Sequence, residues 1–143
     1  GFRKMIEESN LEKKHCLEIP GNLTGKGGEI AAYKLLKNKL PPTAILCAND
    51  ATALGVIKIA RELGFKIPED LSVIGYDGIA LGGYMNPPLS TLTFSIKECG
   101  KEVVDLLMKR LKEPQQPFIS KLALANLKLR GSESQVSLNL NNT

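Results

Sequence analysis

Histidine occurs once in the 143 residues, as His15 in the charged run KKHC, and no serine sits in a G-x-S-x-G elbow. Acyl transfer by a nucleophile and an adjacent base therefore has no parts to assemble, and His15 reads as a surface residue. Cysteine is sparse too. Cys16, Cys47 and Cys99 are an odd number at wide spacings, which excludes a disulfide ladder and a zinc pattern and leaves buried, reduced thiols. Aromatic residues make up 5% of the chain, and none interleaves with the densest basic run, KLLKNK at residues 34–39. The net charge of +4 thus lacks the stacking platform of a nucleic-acid binder, and lysines at a helix C-terminus suit the helix dipole. No apolar run approaches the roughly 18 residues of a membrane span, and the amphipathic start GFRKMIEESN is not signal-like. The glycine cluster TGKGG fails as a phosphate loop, with Pro20 and Gly27 where glycine and Ser or Thr belong, and as a dinucleotide fingerprint, with Ile30 in place of glycine. These absences predict a soluble cytoplasmic chain that is not an enzyme and holds neither cofactor nor metal.

What is present is a repeated change of period. Helices are expected at residues 1–10, with Phe2, Met5 and Ile6 on one side, at 24–38, at 51–63 and at 96–111, and strands at 16–19, 43–48, 71–76 and 90–94. The strand at 43–48 is nearly all apolar, as strands covered on both faces are. Asp50 is an N-cap candidate with Gly64 as the matching stop, and SIKE makes Ser95 and Glu98 a capping box. One or two short strands are expected up to Arg130, and the polar sequence from Ser132 onward is expected to fray. Alternation of this kind means a parallel sheet flanked by helices, an α/β fold. The passage from Tyr76 to Ser90 has no helical period, so it is expected to carry the chain out of one sheet and into another.

Open parallel sheets bind ligands at the carboxyl ends of their strands. Two of the predicted strands end in hydrogen-bonding side chains, Asn49 with Asp50 and then Asp77 in VIGYDG. A carboxylate beside an amide suits a hydroxyl-rich ligand. The plain alternatives are a helix cap for Asp50, a turn residue for Asn49 and a turn former before Gly78 for Asp77.

The ordered series PTAILCANDATALG, IPEDLSVIGYD, YMNPPLSTL and LRGSES resembles the lactose/galactose repressor (LacI/GalR) family of bacterial transcription regulators, over residues 1 to about 134. The resemblance implies a two-lobed, type I periplasmic-binding-protein-like fold holding a small effector between its lobes, with DNA bound by an N-terminal helix-turn-helix domain absent from this chain. It divides the chain into an incomplete C-terminal lobe at 1–78, a crossover at 79–90, a segment of the N-terminal lobe at 91–117, return strands at 118–134 and a disordered tail at 135–143. Effector contacts would fall on Asn49, Asp77, Leu23, Phe94 and Ile96, and a homodimer interface on Leu54, Ile57 and Tyr84. Leu23 stands where the family stacks an aromatic residue, Phe94 where it often has glutamine, and Gly78 where a second acid often follows. The implied function is sensing of a sugar-like metabolite without contact with membranes; the alternative is a solute-binding protein of a sugar transporter. A helix at 96–111 that belongs to a mostly missing lobe should expose apolar surface.

Overall fold

The computed structural model describes residues 1–9, 11–12 and 16–135; His15 and most of the expected tail lie outside the described residues. Helix α1 (Phe2–Glu8) is followed by α2 (Gly25–Leu36), β1 (Ala44–Leu46), α3 (Asp50–Glu62), β2 (Ser72–Tyr76), a 3-10 turn (Ala80–Tyr84), β3 (Ser90–Thr93), α4 (Ile96–Lys112) and β4 (Asn126–Lys128). The sheet order is β1-β2-β3-β4, with the first three strands parallel and β4 antiparallel on the edge.

Local chemistry accounts for the helix ends. Thr24 starts α2 by accepting the Gly27 amide at 3.0 Å, which satisfies one of the free donors of the first turn. Gly64, at φ +88, follows the end of α3 in the left-handed conformation that glycine adopts without penalty. Ser95 caps α4 by accepting the Glu98 amide at 3.2 Å.

The core forms where α3 packs between α2 and the sheet. Ala32 and Leu36 of α2 meet Ala53, Val56, Ile57 and Ala60 of α3, which rest on Val73 of β2 and on Cys47, Leu71 and Leu89. The two helices approach backbone to backbone. A Cβ on Gly55 would lie 1.9 Å from the Gly25 carbonyl oxygen, and one on Gly28 would lie 2.1 Å from that of Thr52. Glu29 adds a polar tie at this seam, accepting from Lys26 at 2.7 Å and Lys58 at 2.8 Å. These two ammonium groups hold its carboxyl at about 2, well below its ordinary 4.5.

Several expectations from sequence are corrected. Residues 16–19 form no strand, and β1 is an edge whose Ala44 and Leu46 are exposed, so the apolar run there is not covered on both faces. The passage after Tyr76 does not leave the sheet: β3 lies parallel to β2, with Ile74 opposite Ser90 and Tyr76 opposite Leu92. A short 3-10 turn suffices because the crossover is brief. No residue of α4 is buried, and Val103, Val104, Leu107, Met108 and Leu111 face solvent.

The start of the segment expected to fray, Ser132 to Ser134, is instead built in. Val73 N–H donates to the Ser132 carbonyl at 2.8 Å, and the Ser132 hydroxyl donates to the Val73 carbonyl at 2.6 Å while accepting the Ser90 amide at 2.8 Å. Ser132 is wholly buried between the starts of β2 and β3. Polarity misled here because these polar atoms bond the sheet rather than water.

Candidate functional site

Because β1, β2 and β3 are parallel, their carboxyl ends share one rim. Neighbouring strands are about 4.8 Å apart, so groups that follow them lie within reach of one small molecule. Asn49 follows β1. Its Oδ1 accepts the Thr52 amide at 2.9 Å, which makes Asn49 the cap of α3, and its Nδ2 donates to the Leu23 carbonyl at 2.9 Å. One amide thus starts a helix and pins the loop before α2, and it brings Asn49 and Leu23 together. One N–H of Nδ2 and one lone pair of Oδ1 remain to be used.

Asp77 follows β2. Its backbone N–H continues the ladder to the Leu92 carbonyl at 2.9 Å, but its side chain is exposed, and among the described residues the carboxylate has neither a hydrogen-bond donor nor a cation as partner. After β3, the Phe94 ring leans on Tyr76 with centroids 6.2 Å apart, and Ile96, 76% exposed, opens α4 at the same end. The departure at Gly78 has a steric cause: its φ is +74, and a Cβ there would lie 2.4 Å from Thr93 Oγ1. An acid at position 78 does not fit this turn.

Backbone strain concentrates on the same rim. Among the described residues, two that are not glycine have positive φ, Leu23 at +61 and Asp77 at +117. Such conformations cost on the order of 1–3 kcal/mol each and persist where the surroundings impose them, most often at functional sites.

The sequence reading missed one residue. Asp50 was a cap candidate, yet Asn49 holds the cap and Asp50 is wholly buried. Its Oδ1 accepts the Thr91 hydroxyl at 2.7 Å and its Oδ2 accepts the Ile79 amide at 2.8 Å. Position alone could not separate the two, since either side chain of an Asn-Asp pair can cap a helix. Cys47, two residues before Asn49, is buried, and burial followed by the charge of Asp50 pushes its thiol up to about 12, so it is no nucleophile. Cys16 and Cys99 are half-buried rather than buried.

The expected interface residues separate. Tyr84 is 87% exposed and Leu54 half-buried, but Ile57, at 1%, belongs to the core, which corrects its assignment to a dimer surface. The second apolar face of α3 is taken up by α2, and its solvent side carries Lys58, Arg61 and Glu62.

The family model of the periplasmic binding protein-like domain matches residues 1–133. The transcriptional repressor PurR of Vibrio vulnificus is 36% identical over 115 residues, which make up 80% of this chain and 34% of that protein. The chain belongs to the lactose/galactose repressor family through its periplasmic-binding-protein-like domain. The ribose operon repressor of Haemophilus influenzae is 32% identical to this repressor-family chain over 118 residues, 82% of it and 36% of that repressor. A LacI family regulator of Enterococcus faecium, solved with bound ribose, superposes on the repressor-family chain with a TM-score of 0.80 at 28% identity, covering 93% of it and 49% of that structure. A complex of the regulator CelR with cellobiose gives 0.84 at 25% identity, covering 91% and 40%. The repressor-family chain spans about a third of the length of its curated relatives.

Proposed function

We propose that this chain is part of the effector-sensing core of a cytoplasmic transcription regulator and that its rim binds a neutral, hydroxyl-rich metabolite of the sugar class. The observation that carries the reading is Asp77: an exposed carboxylate with no partner among the described residues, held at positive φ after β2, the strand next to the one that Asn49 follows, on the carboxyl edge of a parallel sheet. Asp77 accepts hydrogen bonds from ligand hydroxyls, Asn49 supplies its spare donor and acceptor, and Leu23, Phe94 and Ile96 form apolar walls against the ligand ring. That relatives in this family carry ribose and cellobiose in their solved complexes supports the ligand class. Binding shifts the arrangement of two lobes, and with it the geometry of DNA-binding heads on a homodimer that meets through Tyr84 and the edge of α3 near Leu54. The transporter reading is not favoured, since the curated relatives are repressors.

Calorimetric titration of the full-length protein with ribose, cellobiose and nucleosides tests the reading. A hydrogen bond to a charged group contributes about 1.5–3 kcal/mol, so Asp77→Ala should weaken the bound sugar roughly 10–150-fold while leaving the melting temperature in place. A sugar that binds the variant and the parent equally would sink the assignment of Asp77, and no binding by any of them would count against the ligand class.

A further inference from the structure

The buried carboxylate of Asp50 is unexplained by the rim itself, since it faces inward, away from any ligand. It has no cation among the described residues, and its partners are a hydroxyl and a backbone amide. Both partners lead to the turn that carries Asp77. The Ile79 amide, two residues after Asp77, donates to Asp50 Oδ2 at 2.8 Å. The Gly78 amide donates to Thr91 Oγ1 at 3.3 Å, and Thr91 in turn donates to Asp50 Oδ1. Room for the carboxylate comes from Gly75 in β2, where a Cβ would lie 2.1 Å from Asp50 Oδ1.

We infer that Asp50 is a positioning residue for the effector site, holding the Gly78 and Ile79 amides, one through Thr91 and one directly, so that the Asp77 carboxylate is aimed at the ligand before binding. The inference rests on the reading of Asp77 as an effector contact. Because Asn49 and Asp50 are consecutive, the first turn of α3 ties both polar groups of the rim into one rigid unit: Asn49 pins the Leu23 loop, and Asp50 pins the Asp77 turn. A strained φ of +117 at Asp77 needs such an anchor, because a free turn would relax it. Asparagine at position 50 can keep the anchor. Its Oδ1 accepts the Ile79 amide and its Nδ2 donates to Thr91 Oγ1, which then turns its own proton to the Leu92 carbonyl, already 3.1 Å away. Alanine can do neither.

Amide hydrogen exchange and ribose titration of Asp50→Ala, Asp50→Asn and Thr91→Val in the full-length protein test this. Asp50→Ala should speed exchange at Gly78 and Ile79 at least tenfold relative to Val73 and weaken ribose at least tenfold; Asp50→Asn should restore both to within about threefold of the parent. Unchanged exchange at the turn in Asp50→Ala, or a loosened turn that still binds ribose at parental affinity, overturns the inference. If the parent does not bind ribose, the ligand reading fails there, while a turn loosened by alanine and kept by asparagine still supports the anchor. Should Asp50→Ala not fold, Thr91→Val decides: faster exchange at Gly78 with Ile79 unchanged supports the relay, and equal change at both contradicts it.

Discussion

Replacing Ser132 by alanine is the sharpest test of how the C-terminal segment contributes to the fold. In a regular parallel ladder the Ser90 amide would reach the Val73 carbonyl directly; here the Ser132 hydroxyl stands between them, bonded to both. Ser90 and Val73 are each wholly buried, so water cannot take over either bond. A buried group left without its partner costs about 1–3 kcal/mol, so two such groups facing a methyl should destabilise by about 2–6 kcal/mol. Against a typical total of about 5–15 kcal/mol that is a large share. With a urea dependence of about 2 kcal/mol per molar, the unfolding midpoint should fall by about 1–3 M. Equilibrium urea unfolding followed by circular dichroism measures this directly, with Ser134→Ala as the control, since the Ser134 hydroxyl makes a single bond, to the Pro68 carbonyl, at an exposed position. A loss below about 0.5 kcal/mol for Ser132→Ala would refute the argument. It would mean that β2 and β3 close up and make the direct bond.

Three further outcomes follow. Gly55→Ala places a methyl 1.9 Å from the Gly25 carbonyl oxygen, so α2 and α3 must separate; overpacking of this kind costs about 1–3 kcal/mol, and thermal melting should show it, whereas an unchanged melting temperature would contradict the helix contact. Glu29 has a depressed carboxyl pKa in the folded state, so its pairing contributes stability that is present above its ordinary value of 4.5 and lost as pH falls towards about 2. Glu29→Gln should therefore flatten stability against pH within that window and leave neutral pH behaviour otherwise parallel; an identical acid profile would dismiss the pairing. Cys47 should resist alkylation at pH 8 in the folded chain and react fully in denaturant, while quick labelling of native protein at Cys47 would show that the strand end is open.

Much of the fold was legible in the residues because the signals are local. Thr24 with the glycines after it, Gly64 beyond α3 and Ser95 with Glu98 mark helix ends through bonds made within four residues, and the apolar runs before Asn49 and Asp77 mark strands. The strand-end positions of Asn49 and Asp77 were legible for the same reason: a side chain just past an apolar strand falls on the carboxyl edge of a parallel sheet whichever neighbour the strand takes. Errors arose where a residue's role depends on a distant partner. Among the described residues 16–19 join no strand, Ile57 is buried in the chain's own core, and Ser132 to Ser134 bond to the strands of the sheet.

By itself the sequence determined the alternation of helix and strand, the cap of α4 and the placing of Asn49 and Asp77 at strand ends, since backbone propensity and side-chain period act over a few residues. Tertiary structure alone decided that Asn49 rather than Asp50 caps α3, that Asp50 turns inward to hold the Asp77 turn, and that Gly75 and Gly78 must lack side chains. Those outcomes depend on which atoms meet across strands and helices far apart in the chain, where a buried carboxylate is tolerated only beside the donors that the fold brings to it.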